Sequence, residues 1–178
     1  FNTIAVLANT QARIHLAVDT GMGRIGMGEA EFDASLKKLQ AFERLAVEGL
    51  CSHFPVADEI DPDLTIGQIF RFQILSERFR NHFPEARHIH VANSAGLLRF
   101  ANHLDFTTLA LPGLALYGVS PGGFGQEHLQ PALKLETTVS LIRELEPGQS
   151  ISYGRTFFTT REPTTKVAVL AAGYGDGY

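Results

Sequence analysis

Residues able to do chemistry stand where apolar runs end. Arg24 follows the run "RIHLAV" (13–18), inside the turn "DTGMGRIG" (19–26). His53 closes on "AVEGLCSHF" (46–54), with Asp58 just beyond it. Asn93 and Ser94 stand where "HIHVAN" (88–93) gives way to "SAGLLRFA" (94–101), and Gly113 and Leu114 interrupt "TLALPGLALYG" (108–118). An arginine fork suits a carboxylate. A helix opened by Asn-Ser leaves N–H groups free for an anion. Ser94 and the Gly113 turn thus predict a phosphate-sized anion pocket, with His53 near it and Arg24 available to a carboxylate. The ligand so described is small and anionic, or carries a phosphorylated cofactor. Plainer readings stand beside these. Asp19 and Thr20 could cap a turn, Arg24 could be a surface arginine, His53 a satisfied core histidine, Asn93-Ser94 only a helix cap, and Gly113 a packing glycine. The recurrence of polar residues at successive strand exits favours a shared site.

The elements that must position these residues follow from periodicity. "TIAVLA" (3–8) and "RIHLAV" (13–18) have strand length. Phe32, Leu36, Leu39, Phe42 and Leu45 recur at helical spacing. A strand is expected over 46–54, then an acidic loop over 55–63 holding Pro55 and Pro62. A helix runs from about Leu64 to Phe83, stopped by Pro84. A strand (88–93), a short helix (94–101) and a strand-like segment (108–118) complete the series. This alternation argues a parallel sheet with crossover helices, as a barrel or as an open doubly wound sheet. Chemistry gathers at the C-terminal ends of such strands. Past Gly118 the pattern changes. "SPGGFGQ" (120–126) is a connection. Leu133, Leu135, Val139, Leu141 and Leu145 alternate with polar residues as in a long half-buried strand. "EPGQ" (146–149) is a turn, and strands are expected over 150–160 and 166–174. The expected division is an α/β domain over 1–122 and the beginning of an all-β domain over 123–178.

Composition removes several classes of function. Of 178 residues, 44% are apolar and 19% charged, with net charge −4. This offers no broad cationic face for nucleic acid. No apolar run reaches the roughly 18–20 residues of a membrane helix, and no signal peptide shows at the start. Cys51 is the sole cysteine, which rules out a disulfide within the chain and fits a reducing cytoplasm. The chain begins at Phe1 and stops just after a strand, at "AAGYGDGY". The expectation is an internal piece of a longer polypeptide, with part of the active site beyond these residues.

The motifs "VDTGMGRIG", "SHFPVADE", "HVANSAG", "PGLALYG", "SYGRTF" and "GYGDGY", in this order and spacing from Val18 to Tyr178, resemble those of alanine racemases. The resemblance implies part of a (β/α)8 TIM-type barrel holding pyridoxal 5′-phosphate, followed by a β-domain, in a head-to-tail homodimer with shared sites. It implies interconversion of L- and D-alanine, supplying D-alanine for peptidoglycan. Arg24 then resembles the arginine that binds the substrate carboxylate, and Met22 a residue lining the substrate site from the neighbouring subunit. His53 resembles the histidine stacked on the cofactor ring and bonded to the catalytic tyrosine. Asn93, Ser94, Gly113 and Leu114 match cofactor-pocket positions, the last three around the phosphate. Tyr153 resembles the tyrosine that exchanges the α-proton on one face, and Asp58 and Tyr174 residues at the substrate entrance.

Three departures accompany the match. The family's cofactor-linked lysine belongs to a motif N-terminal to this segment, and Lys37, Lys38, Lys134 and Lys166 are the only lysines here, so the segment by itself is expected to be inactive. Leu111 stands where an arginine would contact the cofactor's pyridine nitrogen, with His90 behind it. Ala17 stands where many members carry a lysine that braces the substrate arginine. Alternative readings are a broader amino-acid racemase, a catalytically impaired relative that still binds the cofactor, and a metal hydrolase barrel using His53, Asp58 and His90.

Overall fold

The chain opens with a helix, α1 (Asn2–Leu7), not with the strand expected over 3–8. Thr3, Ile4 and Val6 favour strands, but the stop signal that follows decides the outcome. Asn9 adopts a left-handed φ of 48°, and the amides of Asn9 and Thr10 donate back to the carbonyls of Val6 (3.1 Å) and Ala5 (2.9 Å). That is the Schellman closure of a helix, with asparagine in the place usually taken by glycine. A computed structural model describes residues 1–177. They fall into two compact units, one from Phe1 to Ala132 and one beginning at Leu133.

In the first unit, β1 (Ala12–Ala17), β2 (Leu45–Cys51) and β3 (His88–His90) pair in that order, all parallel. Parallel neighbours require crossovers, and α2 (Phe32–Leu39) and α3 (Asp63–His82) provide them. Side chains alternate across the sheet. Leu16, Leu50 and Ile89 join Phe32 and Leu36 of α2 and Ile69, Phe72, Leu75 and Phe79 of α3 in one buried core. Each such side chain contributes about 1.5–3 kcal/mol on burial. His15, Ala17, Gly49, Cys51, His88 and His90 occupy the alternate positions. Gly49 lies between His15 and His88 in the ladder. A Cβ there would come within 2.6 Å of the His88 carbonyl oxygen and 3.2 Å of the His15 ring.

Two further expectations need correction. The apolar series from Phe32 to Leu45 is not one helix: α2 ends at Leu39, Phe42 lies exposed in a turn, and Leu45 opens β2. The period continues by coincidence across a turn. The segment 108–118 is not a strand. Leu109 makes a single bridge to His90, and Gly113–Tyr117 form a 3-10 turn. Pro112 has no N–H to extend the ladder, and its carbonyl instead accepts from the Ala115 amide at 2.7 Å. α3 and α4 (Ser94–Phe100) agree with expectation to within a residue. The paired part of the third strand is shorter than expected, ending at His90.

The second unit holds β4 (Val139–Leu145), β5 (Ser150–Ile151), β6 (Phe157–Phe158) and β7 (Thr165–Leu170). β4 pairs with β7 and β5 with β6, both antiparallel. The continuous strand expected over 150–160 is broken at Tyr153–Arg155, where Ser152 (φ 61°), Gly154 (φ 72°) and Arg155 (φ 50°) all take left-handed backbone. Nor is β4 half-buried within its unit: it is exposed on both faces up to Glu144. The one fully buried residue among those described is Thr159. Its hydroxyl donates to the Glu146 carbonyl at 2.5 Å and accepts from the Gln149 amide at 3.0 Å, pinning the turn at Pro147-Gly148.

Candidate active site

The loop after β1 is built by one carboxylate. Asp19 Oδ1 accepts from the amides of Gly21 and Met22, each at 2.8 Å, and Asp19 Oδ2 accepts from Gly23 at 2.9 Å. These bonds, the Gly21 amide foremost, hold the Asp19 carboxyl below its usual range. Gly26 closes the loop on β1: a Cβ there would sit 2.7 Å from the Asp19 amide nitrogen. Arg24 is carried at the exposed end of this rigid turn. Among the described residues its guanidinium makes no protein hydrogen bond, and it faces a cavity of about 180 Å³.

That cavity is lined also by Ala17, Met22, Cys51, His53, His90 and Leu111. His53 leaves β2 half-buried. Burial pushes its imidazole below the ordinary histidine value, and the Arg24 charge adds to the shift. The ring is therefore neutral near pH 7. Burial likewise holds Cys51 as a thiol, with its pKa raised. His90 is buried, and its Nε2 lies 2.9 Å from Nδ1 of His15. Its own Nδ1 has no partner among the described residues. Desolvation lowers the His90 pKa, with smaller contributions from His15 and His88. Leu111 shares this wall and offers no donor or acceptor.

A second group assembles around α4. Asn93 Oδ1 accepts from the Gly96 amide at 2.9 Å, and Asn93 Nδ2 donates to the Phe54 carbonyl at 3.1 Å. The Ser94 hydroxyl donates to the Pro112 carbonyl and accepts from the Ala115 amide at 3.1 Å. Gly113 turns with φ 29°, and a Cβ on it would meet Ser94 Oγ at 3.8 Å. The amides of Gly113 and Leu114 donate to no protein group among the described residues. Ser94, Gly113 and Leu114 thus lie together, beside Leu111 of the cavity wall. Asp58 is exposed in the loop between β2 and α3. Tyr153 and Tyr174 belong to the second unit, each on an exposed 3-10 turn.

Sequence reasoning missed Gln68. Its Nε2 donates to Thr20 Oγ1 at 3.3 Å and to the His53 carbonyl at 3.4 Å, tying the Arg24 loop to the exit of β2. Thr20 also bonds Ser52, at 2.8 Å between hydroxyl oxygens. The only sequence signal was a glutamine in line with the apolar face of α3. Among the described residues, no group of three His, Cys, Asp or Glu side chains is placed to hold a metal ion. Among the described residues, no helix is long and apolar enough to cross a membrane.

Residues 1–121 match the family model of the alanine racemase N-terminal domain, and residues 132–178 that of the C-terminal domain. The chain is 43% identical to an alanine racemase of Geobacter sp. (strain M21), with 94% of this chain and 45% of that protein aligned. A solved alanine racemase from Streptomyces lavendulae superposes with a TM-score of 0.80 at 32% identity, covering 99% of this chain and 47% of that one. One from Pseudomonas aeruginosa gives 0.78 at 29%, covering 98% and 48%. The chain thus spans about half the length of the relatives it matches. The parallel sheet with its helices is part of the family's barrel, and the strands after it are part of its β-domain. On these matches, the chain belongs to the alanine racemase family.

Proposed function

We propose that the full polypeptide carrying this chain interconverts L- and D-alanine with pyridoxal 5′-phosphate, as a cytoplasmic homodimer whose two copies share active sites, supplying D-alanine for peptidoglycan. The observation that carries this reading is Arg24, held by the Asp19 turn over a cavity that His53 also lines. An unpaired guanidinium there suits the carboxylate of a small amino acid.

The residues around α4 fit the phosphate end of the cofactor. Ser94, the left-handed Gly113 and the free amides of Gly113 and Leu114 form an anion cradle. When bound, the cofactor supplies an electron sink that makes the α-proton removable. Arg24 orients the substrate carboxylate. Met22 lines the substrate site, and Asp58 and Tyr174 stand at its entrance. His53, neutral, packs on the cofactor ring. Tyr153, contributed by a second copy, holds or releases a proton at its phenolic oxygen on one face of the substrate. A lysine serves the other face, and none of the four present supplies it. Lys37 and Lys38 are exposed on α2, while Lys134 and Lys166 pair with Glu136 and Glu144.

The test is exchange of the alanine α-proton into deuterated solvent by the full polypeptide loaded with cofactor, followed by NMR alongside the yield of the opposite enantiomer. Exchange with inversion is expected. Absence of both, with the cofactor demonstrably bound, would overturn the reading. Leu111 favours one alternative, a relative that binds the cofactor but turns over poorly, because the wall beside His90 lacks a donor. Leu111→Arg is expected to shift the bound cofactor's absorbance and raise turnover. An unchanged spectrum and rate would dismiss any role for Leu111.

A further inference from the structure

Arg99, in the last turn of α4, reaches the acidic loop that leaves His53. Its Nη1 donates to the carbonyls of Glu59 and, at 3.5 Å, Ala57, and its Nη2 to that of Ile60 at 2.6 Å. The guanidinium lies over the ring of Phe124 at 4.2 Å and near that of Phe100 at 5.0 Å. The backbone at Gly122 presses on the same loop: a Cβ there would fall 2.4 Å from the Asp58 carbonyl oxygen. The main chain around Asp58 is therefore held by an arginine fork on its neighbours' carbonyls and met closely by a glycine turn. Among the described residues, this arginine's side-chain hydrogen bonds all go to backbone carbonyls. It supplies shape and makes no bond to the Asp58 carboxylate.

The loop has a separate anchor at its start. Asn93 holds the Phe54 carbonyl and Gln68 that of His53. Loosening the later part of the loop therefore leaves His53 in place. The two anchors divide the labour: one fixes the residue beside the cofactor, the other the acidic residues that a substrate passes.

We propose that Arg99 is a positioning residue that holds the Asp58 loop, and that it governs substrate capture and not cofactor binding. This rests on the racemase reading above. The experiment compares Arg99→Met with the unaltered full polypeptide. Steady-state kinetics are taken with both alanine enantiomers, cofactor affinity by absorbance titration, and amide exchange over residues 55–61 by mass spectrometry. A fork of charged hydrogen bonds that is lost corresponds to about a tenfold effect. KM is expected to rise about tenfold for both enantiomers, and amide exchange over 55–61 by a similar factor. Both kcat and cofactor affinity should stay within about twofold. Arg99→Lys should fall nearer the methionine variant than the parent, because one ammonium cannot serve a fork of carbonyls. Phe124→Leu, which removes only the stacking ring, gives a milder version of the same pattern should Arg99→Met not fold. Unchanged exchange over 55–61, unchanged KM, or an equal loss of kcat and cofactor affinity would each overturn the proposal. If the parent itself turns over no alanine, the racemase reading fails, and faster exchange in the variant would still support the hold on the loop.

Discussion

The two units solve the problem of burial differently. In the first, a sheet and two helices face each other, and phenylalanines from α2 and α3 are wholly removed from solvent. In the second, Thr159 alone is buried among the described residues, while Leu133, Leu141 and Ile142 stay more than half exposed. The first unit carries its own apolar partner layer. The second carries strand pattern without one, and two-stranded pairs alone are marginal in water. Strand-forming sequence is therefore not the same thing as a core, and the apolar residues of β4 await a packing surface.

The sharpest way to break this comparison is a pair of truncations. Phe72→Ala should cost the full polypeptide about 3–5 kcal/mol in chemical denaturation, the range for a buried aromatic. Leu141→Ala should cost much less if β4 remains uncovered in solution, and a similar loss at both positions would show that a partner layer covers β4. Next in size is Thr159→Val, which strands the groups around the 146–149 turn. About 1–3 kcal/mol is expected, and none would mean that the turn holds without its hydroxyl clamp. Asp19→Ala removes the acceptor that shapes the Arg24 loop. About a tenfold rise in KM for alanine is expected, roughly 1.4 kcal/mol, with little change in unfolding midpoint. The smallest effect is the response to acid. The folded pKa values of His53 and His90 lie below the unfolded value, so the unfolded chain binds protons first. Their contribution is complete above about pH 6.5 and declines as pH falls below it. Residues 133–178 contain no histidine. Amide exchange between pH 7 and 5.5, corrected for its intrinsic pH dependence, should therefore loosen β1–β3 and leave β4–β7 unchanged.

Much of the first unit could be read from residues alone. α3 announces itself by its apolar spacing and by Pro84, and α4 by Asn93, whose side chain does cap it. Arg24 and His53 do line one cavity, and Ser94 and Gly113 do meet. Other features depend on contacts distant in sequence or on rare backbone. Asn9 overrode a β-branched run by terminating a helix. Ser152 and Arg155 broke a strand through left-handed φ at residues that seldom adopt it. Gln68 matters because folding sets it beside Thr20 and His53, and no local pattern encodes that.

Gly49 has a consequence at the level of the gene. Its backbone is ordinary, so the constraint there is space between His15 and His88. Every amino acid reachable from a glycine codon by one nucleotide change brings a Cβ. Drift at this position therefore has no silent exit except synonymous change, and the approach of the β1 and β3 histidines across β2 rests on a codon whose missense neighbours all collide with it.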